Sequence, residues 1–132
     1  TDLQAAIPKA DIISAATMSV KPLVLGKYLQ AGQYLDLVGS YKSDMWEADD
    51  EVIRRSTLFV DTLQGAPKES GDLAIPLTTG VCSLQDIEAD LFGLCRGQHA
   101  GRQNREEITF FKSVGHALED LAAAKLAFER IG

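Results

Sequence analysis

The sequence predicts an open α/β domain with a parallel sheet, on three observations. Short apolar runs at residues 10–17, 34–38 and 58–60 are separated by helical connections, the pattern of parallel strands with helices on the faces. These runs finish in small or hydrogen-bonding residues, Ala16-Thr17, Gly39-Ser40 and Asp61-Thr62. The chain has 132 residues, 45% of them hydrophobic, which suits one domain with a real core.

Residues 2–6 read as the tail of a helix that ends near Pro8. Residues 10–17 form a continuous apolar and small run, as expected of a strand buried on both faces. A short helical turn is predicted over 23–29, stopped by Ala31-Gly32, and a second strand over 34–38. Asp49 is a good N-cap, and Asp50 and Glu51 favour the positive end of a helix running to about Ser56. Residues 58–60 make a third strand. Residues 64–80, containing GAPKESGD and PLTTGV, read as loop because glycine and proline punctuate them. Helical period returns over 85–96 through Ile87, Leu91 and Leu94, with Gly97 as the stop. Residues 98–105 are polar and read as an exposed loop. A last short strand covers 108–111, and a helix is expected from Val114 onward, with Ala117, Leu121, Ala124 and Phe128 on one stripe.

A formal charge of -6 argues against a phosphate-backbone binder, so no nucleic-acid partner is expected. No apolar run approaches the roughly 20 residues that cross a bilayer, and the start TDLQAAIPKAD has neither a basic nor an apolar signal region. A soluble chain without membrane attachment is expected. Cys82 and Cys95 lack nearby histidines and form neither a zinc pattern nor a disulfide framework, which suits a reducing cytoplasm. His99 and His116 have no partner at metal-ligand spacing, so no metal is expected. The GxGxxG turn of a dinucleotide fold is absent, since Gly65, Gly71 and Gly80 lack the spacing. Ligands of open parallel sheets bind beyond the carboxyl ends of the strands, and the three small-residue endings are therefore the candidate ligand edge.

Five blocks in order, ADIISAATMS, LVGSYKSDMWEADDE, FVDTLQGAPKESGD, ADLFGLCRG and EITFFKSVGHALEDLAAAKLAFE, resemble the ornithine cyclodeaminase and mu-crystallin family of NAD(P)-dependent proteins. The last block, with its KSxGxAxED core, is the most distinctive. Members are longer, so the resemblance implies that residues 1–113 are the later part of a Rossmann-type NAD(P)-binding domain. Residues 114–132 would then be a C-terminal helix returning to an N-terminal substrate and dimerisation domain that this sequence lacks. A homodimer is implied for the full-length form, and catalysis by this chain alone is not expected.

The resemblance puts Ala16, Thr17 and Met18 against the cofactor NAD(P)H, with Val38, Gly39, Ser40 and Tyr41 along its nicotinamide half. Ser113 would face the active-site cleft at the Lys-Ser-x-Gly corner, or else cap the helix that follows. Glu69 resembles a family glutamate near the ligand, and it or Asp72 would orient a cationic imine. Trp46 covers the cofactor edge or packs between helix and loop. Lys112 steadies the corner or reaches solvent.

Tyr41 is the informative departure. Ornithine cyclodeaminases carry a proton-moving aspartate at the corresponding place, and a phenol, ordinarily ionising near about 10, is a poor base at neutral pH. The resemblance therefore leans toward mu-crystallin and bacterial ketimine reductases, which reduce cyclic imines such as pyrroline-2-carboxylate. Three alternatives stay open: ornithine cyclodeaminase, an alanine-dehydrogenase-like enzyme, and a mu-crystallin-like ligand-binding protein without turnover. NADH against NADPH is undecided, because the selector lies outside this sequence.

Overall fold

The computed structural model describes residues 2–131; Thr1 and Gly132, the end residues of the expected segments 1–113 and 114–132, lie outside the described residues. Helix α1 (Leu3–Ala6) is capped by Asp2 and runs into a 3-10 turn at Ile7–Lys9. Strand β1 (Ile12–Ala15) follows, then a 3-10 turn at Gly26–Tyr28 and β2 (Tyr34–Leu37). Helix α2 (Asp50–Arg55) leads directly into β3 (Ser56–Val60). As expected, Asp49 caps α2 by accepting from Val52 N at 3.1 Å.

Two stretches differ from the expectation in their secondary structure. Residues 64–80 are not a loop: they form α3 (Ala66–Glu69) and α4 (Gly71–Thr79). Their glycines and prolines mostly mark helix ends. Pro67 lies in the first turn of α3, where its missing N–H costs nothing, and Gly80 takes φ +75° just past α4. Residues 85–96 are not one helix either. They divide into a 3-10 turn at Leu84–Asp86, strand β4 (Ile87–Asp90) and α5 (Leu91–Cys95), with Asp90 capping α5 through Gly93 N at 2.8 Å. The helical spacing of Ile87, Leu91 and Leu94 arose across a strand and a helix. The chain closes with β5 (Ile108–Lys112) and α6 (Ala117–Ile131).

The five strands are parallel, in the order β1-β2-β5-β3-β4. The last strand in the chain is thus inserted between β2 and β3. Leu35, Phe110 and Leu58 share one row and Leu37, Lys112 and Val60 the next, all on one face. That face is covered by Ile7, Leu29, Val52, Ile53 and Leu73. Burying Phe110 there contributes about 1.5–3 kcal/mol. β1 is not buried on both faces as expected: Ile13 and Ala15 enter the core, whereas Ile12 on the other face is 66% exposed. α6 begins three residues later than expected and buries none of its residues, leaving Leu121, Phe128 and Ile131 in the open.

Candidate functional site

Because all strands run the same way, their carboxyl ends share one edge, and the residues there were the sequence-predicted site. A buried acid that the sequence did not single out organises it. Glu47 has no exposed surface. Its Oε1 accepts from Thr17 N at 2.6 Å and Thr17 Oγ1 at 2.8 Å, and its Oε2 from Gly39 N at 2.9 Å and Ser40 N at 3.2 Å. One carboxylate therefore joins the segments leaving β1 and β2. Gly39 is required beside it, since a Cβ there would run into the Thr17 backbone and the Glu47 carboxylate.

Behind Glu47 lies a second buried acid. Asp72 Oδ1 accepts from Glu47 N at 2.7 Å and Ala48 N at 3.0 Å, and Asp72 Oδ2 stands 3.7 Å from Lys112 Nζ, an ion pair rather than a hydrogen bond. Lys112 donates to Leu37 O at 2.9 Å, and both side chains are wholly buried. Burial pushes the Asp72 carboxyl above the ordinary carboxylate range, against the pull of the two N–H groups and Lys112. Burial likewise pushes the Lys112 ammonium down, while Asp72, Glu47 and Asp61 oppose that. These positions correct two expectations. Asp72 cannot reach a ligand, because it is enclosed beneath Glu47, and Lys112 does not reach solvent, because its charge is held by buried acceptors.

Asp61 does the same for the last strand. Its Oδ2 accepts from Ser113 Oγ at 3.1 Å, Val114 N at 2.7 Å and Gly115 N at 2.8 Å. The Lys-Ser-x-Gly corner is thus wrapped around a carboxylate at the end of β3. Ser113 does not cap α6, which begins beyond it; His116 Nδ1 accepts the Leu118 N–H at 3.2 Å. The half-buried Ser113 also borders an apolar cleft of about 620 Å³ lined by Tyr34, Phe59, Phe111 and Arg102, on the sheet face away from the core. Glu69 ends α3 with an exposed side chain, and its Oε1 lies 3.3 Å from where a Gly65 Cβ would stand, as does Val114 Cγ2. Glu69 and the corner are therefore neighbours across Gly65.

The predicted cofactor residues divide by exposure. Ala16, Met18, Val38 and Tyr41 present an exposed lip, with Tyr41 Oη donating to Met18 Sδ at 3.6 Å. Ser40 differs from the expectation: its side chain is fully buried, donating to Met45 O at 2.6 Å and sharing a 2.9 Å contact with Ser70 Oγ. The Gly39 and Ser40 N–H groups are engaged by Glu47, so this segment meets any ligand through Val38 and Tyr41. A flat, largely apolar ring suits such a lip at the end of a parallel sheet. Trp46 is half-buried, its backbone N–H donating to Ser19 O at 2.8 Å. Among the described residues, no group of three or more His, Cys, Asp or Glu could hold a metal ion.

Glu47 escaped sequence reading, and Asp61 was read only as part of a strand ending on the ligand edge. Only the fold shows that the oxygens of each collect backbone donors from elsewhere in the chain. The sole local signal was a glutamate set between Trp46 and Ala48, ahead of the N-cap Asp49.

The model of the ornithine cyclodeaminase/mu-crystallin family matches residues 1–132. The chain is 40% identical over 124 residues to the Delta(1)-pyrroline-2-carboxylate reductase of Paracoccus denitrificans, covering 94% of this chain and 39% of that protein. Ketimine reductase mu-crystallin of Mus musculus is 37% identical over 129 residues, 98% of this chain and 38% of that one. A solved structure of Thermococcus litoralis Delta(1)-pyrroline-2-carboxylate reductase in complex with NADH and L-proline superposes with a TM-score of 0.91 at 42% identity, over 96% of this chain and 39% of that chain. The chain thus spans about two fifths of the length of these relatives. With a parallel α/β sheet, these strand endings and a match over its whole length, the chain belongs to the ornithine cyclodeaminase/mu-crystallin family.

Proposed function

We propose that this chain is the nicotinamide-side part of an NAD(P)H-dependent reductase that converts a small cyclic imine such as pyrroline-2-carboxylate to the amino acid. The observation that carries the reading is the likeness, at 42% identity, to a reductase solved with NADH and L-proline, the saturated product of such an imine. Tyr41 supports it, because it stands immediately after Gly39-Ser40, in place of a carboxylate that would move protons in a deamination. The cofactor, when bound, would supply a hydride to the imine carbon while the nitrogen carries a proton, giving the amino acid and NAD(P)+.

The residues of this chain bind and orient. Ala16, Thr17 and Met18 line one side of the nicotinamide, and Val38 and Tyr41 the other, with the lip excluding water from the reacting face. Ser113 borders the same edge, its hydroxyl oriented by Asp61. Glu69 has an exposed carboxylate beside that corner, suited to holding a cationic imine. Residues 114–132 would return to a substrate and dimerisation domain, consistent with the exposed apolar side chains of α6. The whole protein is read as a cytoplasmic homodimer.

The test is an assay of the protein expressed from its complete reading frame. Oxidation of NADH or NADPH that depends on pyrroline-2-carboxylate supports the proposal, and Glu69→Gln should lower kcat/KM by about tenfold. Ammonia release from ornithine without imine reduction would instead point to a cyclodeaminase.

A further inference from the structure

We infer that Glu47 is the positioning residue of the nicotinamide edge, its buried carboxylate fixing how the segments after β1 and β2 present Ala16, Met18, Val38 and Tyr41. The assignment rests on the nicotinamide reading of that edge given above. It adds a residue that never meets the ligand.

The backbone ladder between β1 and β2 has its last register pair at Ala15 and Leu37. Val38 N still donates to Ala15 O at 2.9 Å, and Gly39 N reaches the same oxygen at 3.3 Å. Beyond that the join is made by Glu47, whose two oxygens take the backbone N–H groups of Thr17, Gly39 and Ser40 and the Thr17 hydroxyl. A buried carboxylate persists only when its lone pairs are so satisfied, and each charge-assisted bond is stronger and more directional than a neutral one.

Glu47 is itself held from behind. Its N–H goes to Asp72, and its carbonyl accepts from Leu23 N and Val24 N, each at 2.9 Å. Asp72 faces Lys112, and Lys112 donates to the carbonyl of Leu37, the last residue of β2. The contacts close a ring through Leu37, Lys112, Asp72, Glu47 and Gly39, all beneath the exposed lip. Such a closed polar network is rigid, and displacing a bound ring by about 1 Å is enough to lose much of a site's effect. An apolar side chain of similar size would fill the space without accepting from four donors.

The experiment compares Glu47→Gln with Gln33→Ala in the protein expressed from its complete reading frame. Gln33 is the control because its buried side chain also joins separate segments, donating to Ile7 O at 2.7 Å and Ala10 O at 2.6 Å and accepting from Gln30 N at 2.8 Å, at the opposite, amino ends of β1 and β2. Three quantities are read: thermal midpoint, hydrogen exchange of the cofactor-free protein, and NADH and NADPH affinity by fluorescence. The expected result for Glu47→Gln is faster exchange at the Thr17, Gly39 and Ser40 amides with dinucleotide binding weakened about tenfold or more. Gln33→Ala should lower the midpoint yet keep affinity within about twofold. If Glu47→Gln fails to fold, Thr17→Val removes the hydroxyl that donates to Glu47 and accepts from Ser19 N, and should speed exchange at the Gly39 and Ser40 amides and weaken binding about threefold. Glu47→Gln with unchanged affinity and unchanged exchange overturns the assignment, as does an equal loss of affinity in both variants, which would make Glu47 merely structural. A wild-type protein that binds neither dinucleotide overturns the nicotinamide reading itself, and this assignment falls with it.

Discussion

Lys112 has no exposed surface, so its charge survives in the core through Asp72 and the Leu37 carbonyl, with Glu47 and Asp61 adding to the attraction. Removing the lysine leaves Asp72 buried and unpaired. Lys112→Met should therefore destabilise the fold by about 3–5 kcal/mol in urea unfolding. Adding Asp72→Asn should recover part of that loss, because the amide oxygen still accepts from Glu47 N and Ala48 N while the stranded charge is gone. Asp72 also predicts a pH dependence. Its folded carboxyl titrates above the ordinary 3.8, so its contribution is fully present below 3.8 and is lost as pH rises through the folded value. The unfolding free energy of the wild type should accordingly fall relative to Asp72→Asn as pH rises from about 3 to about 7. At this scale the strand endings at Ala16, Gly39 and Asp61 were legible from small or hydrogen-bonding side chains, whereas Met18, Val38 and Tyr41 were named only through the family resemblance. The roles of the buried acids were not legible, because a carboxylate that collects distant N–H groups looks in sequence like any solvated acid.

Helix boundaries were legible where a cap stood next to an amphipathic run and hidden where breakers crowded. Asp49 was read correctly, and its Oδ1 also accepts from Gly26 N at 2.8 Å. Asp49→Ala should therefore cost about 1–2 kcal/mol, measured by thermal unfolding. The region from Gly65 to Gly80 read as loop because the density of glycine and proline outweighed their positions. Gly71 sits where a Cβ would strike the Met45 carbonyl, and Gly80 supplies the left-handed residue after α4. Gly80→Ala meets no steric obstacle, yet the positive φ should still cost about 1–2 kcal/mol in the same measurement. β4 was missed because four residues at the edge of a sheet carry too little periodicity to oppose a coincidental helical spacing.

Across the whole molecule, the parallel class followed from alternation of strands and helices, but strand order did not. Inserting β5 between β2 and β3 depends on contacts remote in sequence, which no local pattern records. That insertion brings Lys112 and Ser113 between the ends of β2 and β3, and so builds the corner beside the lip. The proposed ligand of this carboxyl edge is a nicotinamide. The most direct test is hydrogen exchange of the protein from its complete reading frame, with and without saturating NADH or NADPH. Protection concentrated at residues 16–18, 38–41 and 113 is the predicted result. Tight dinucleotide binding that leaves those residues unprotected would contradict it.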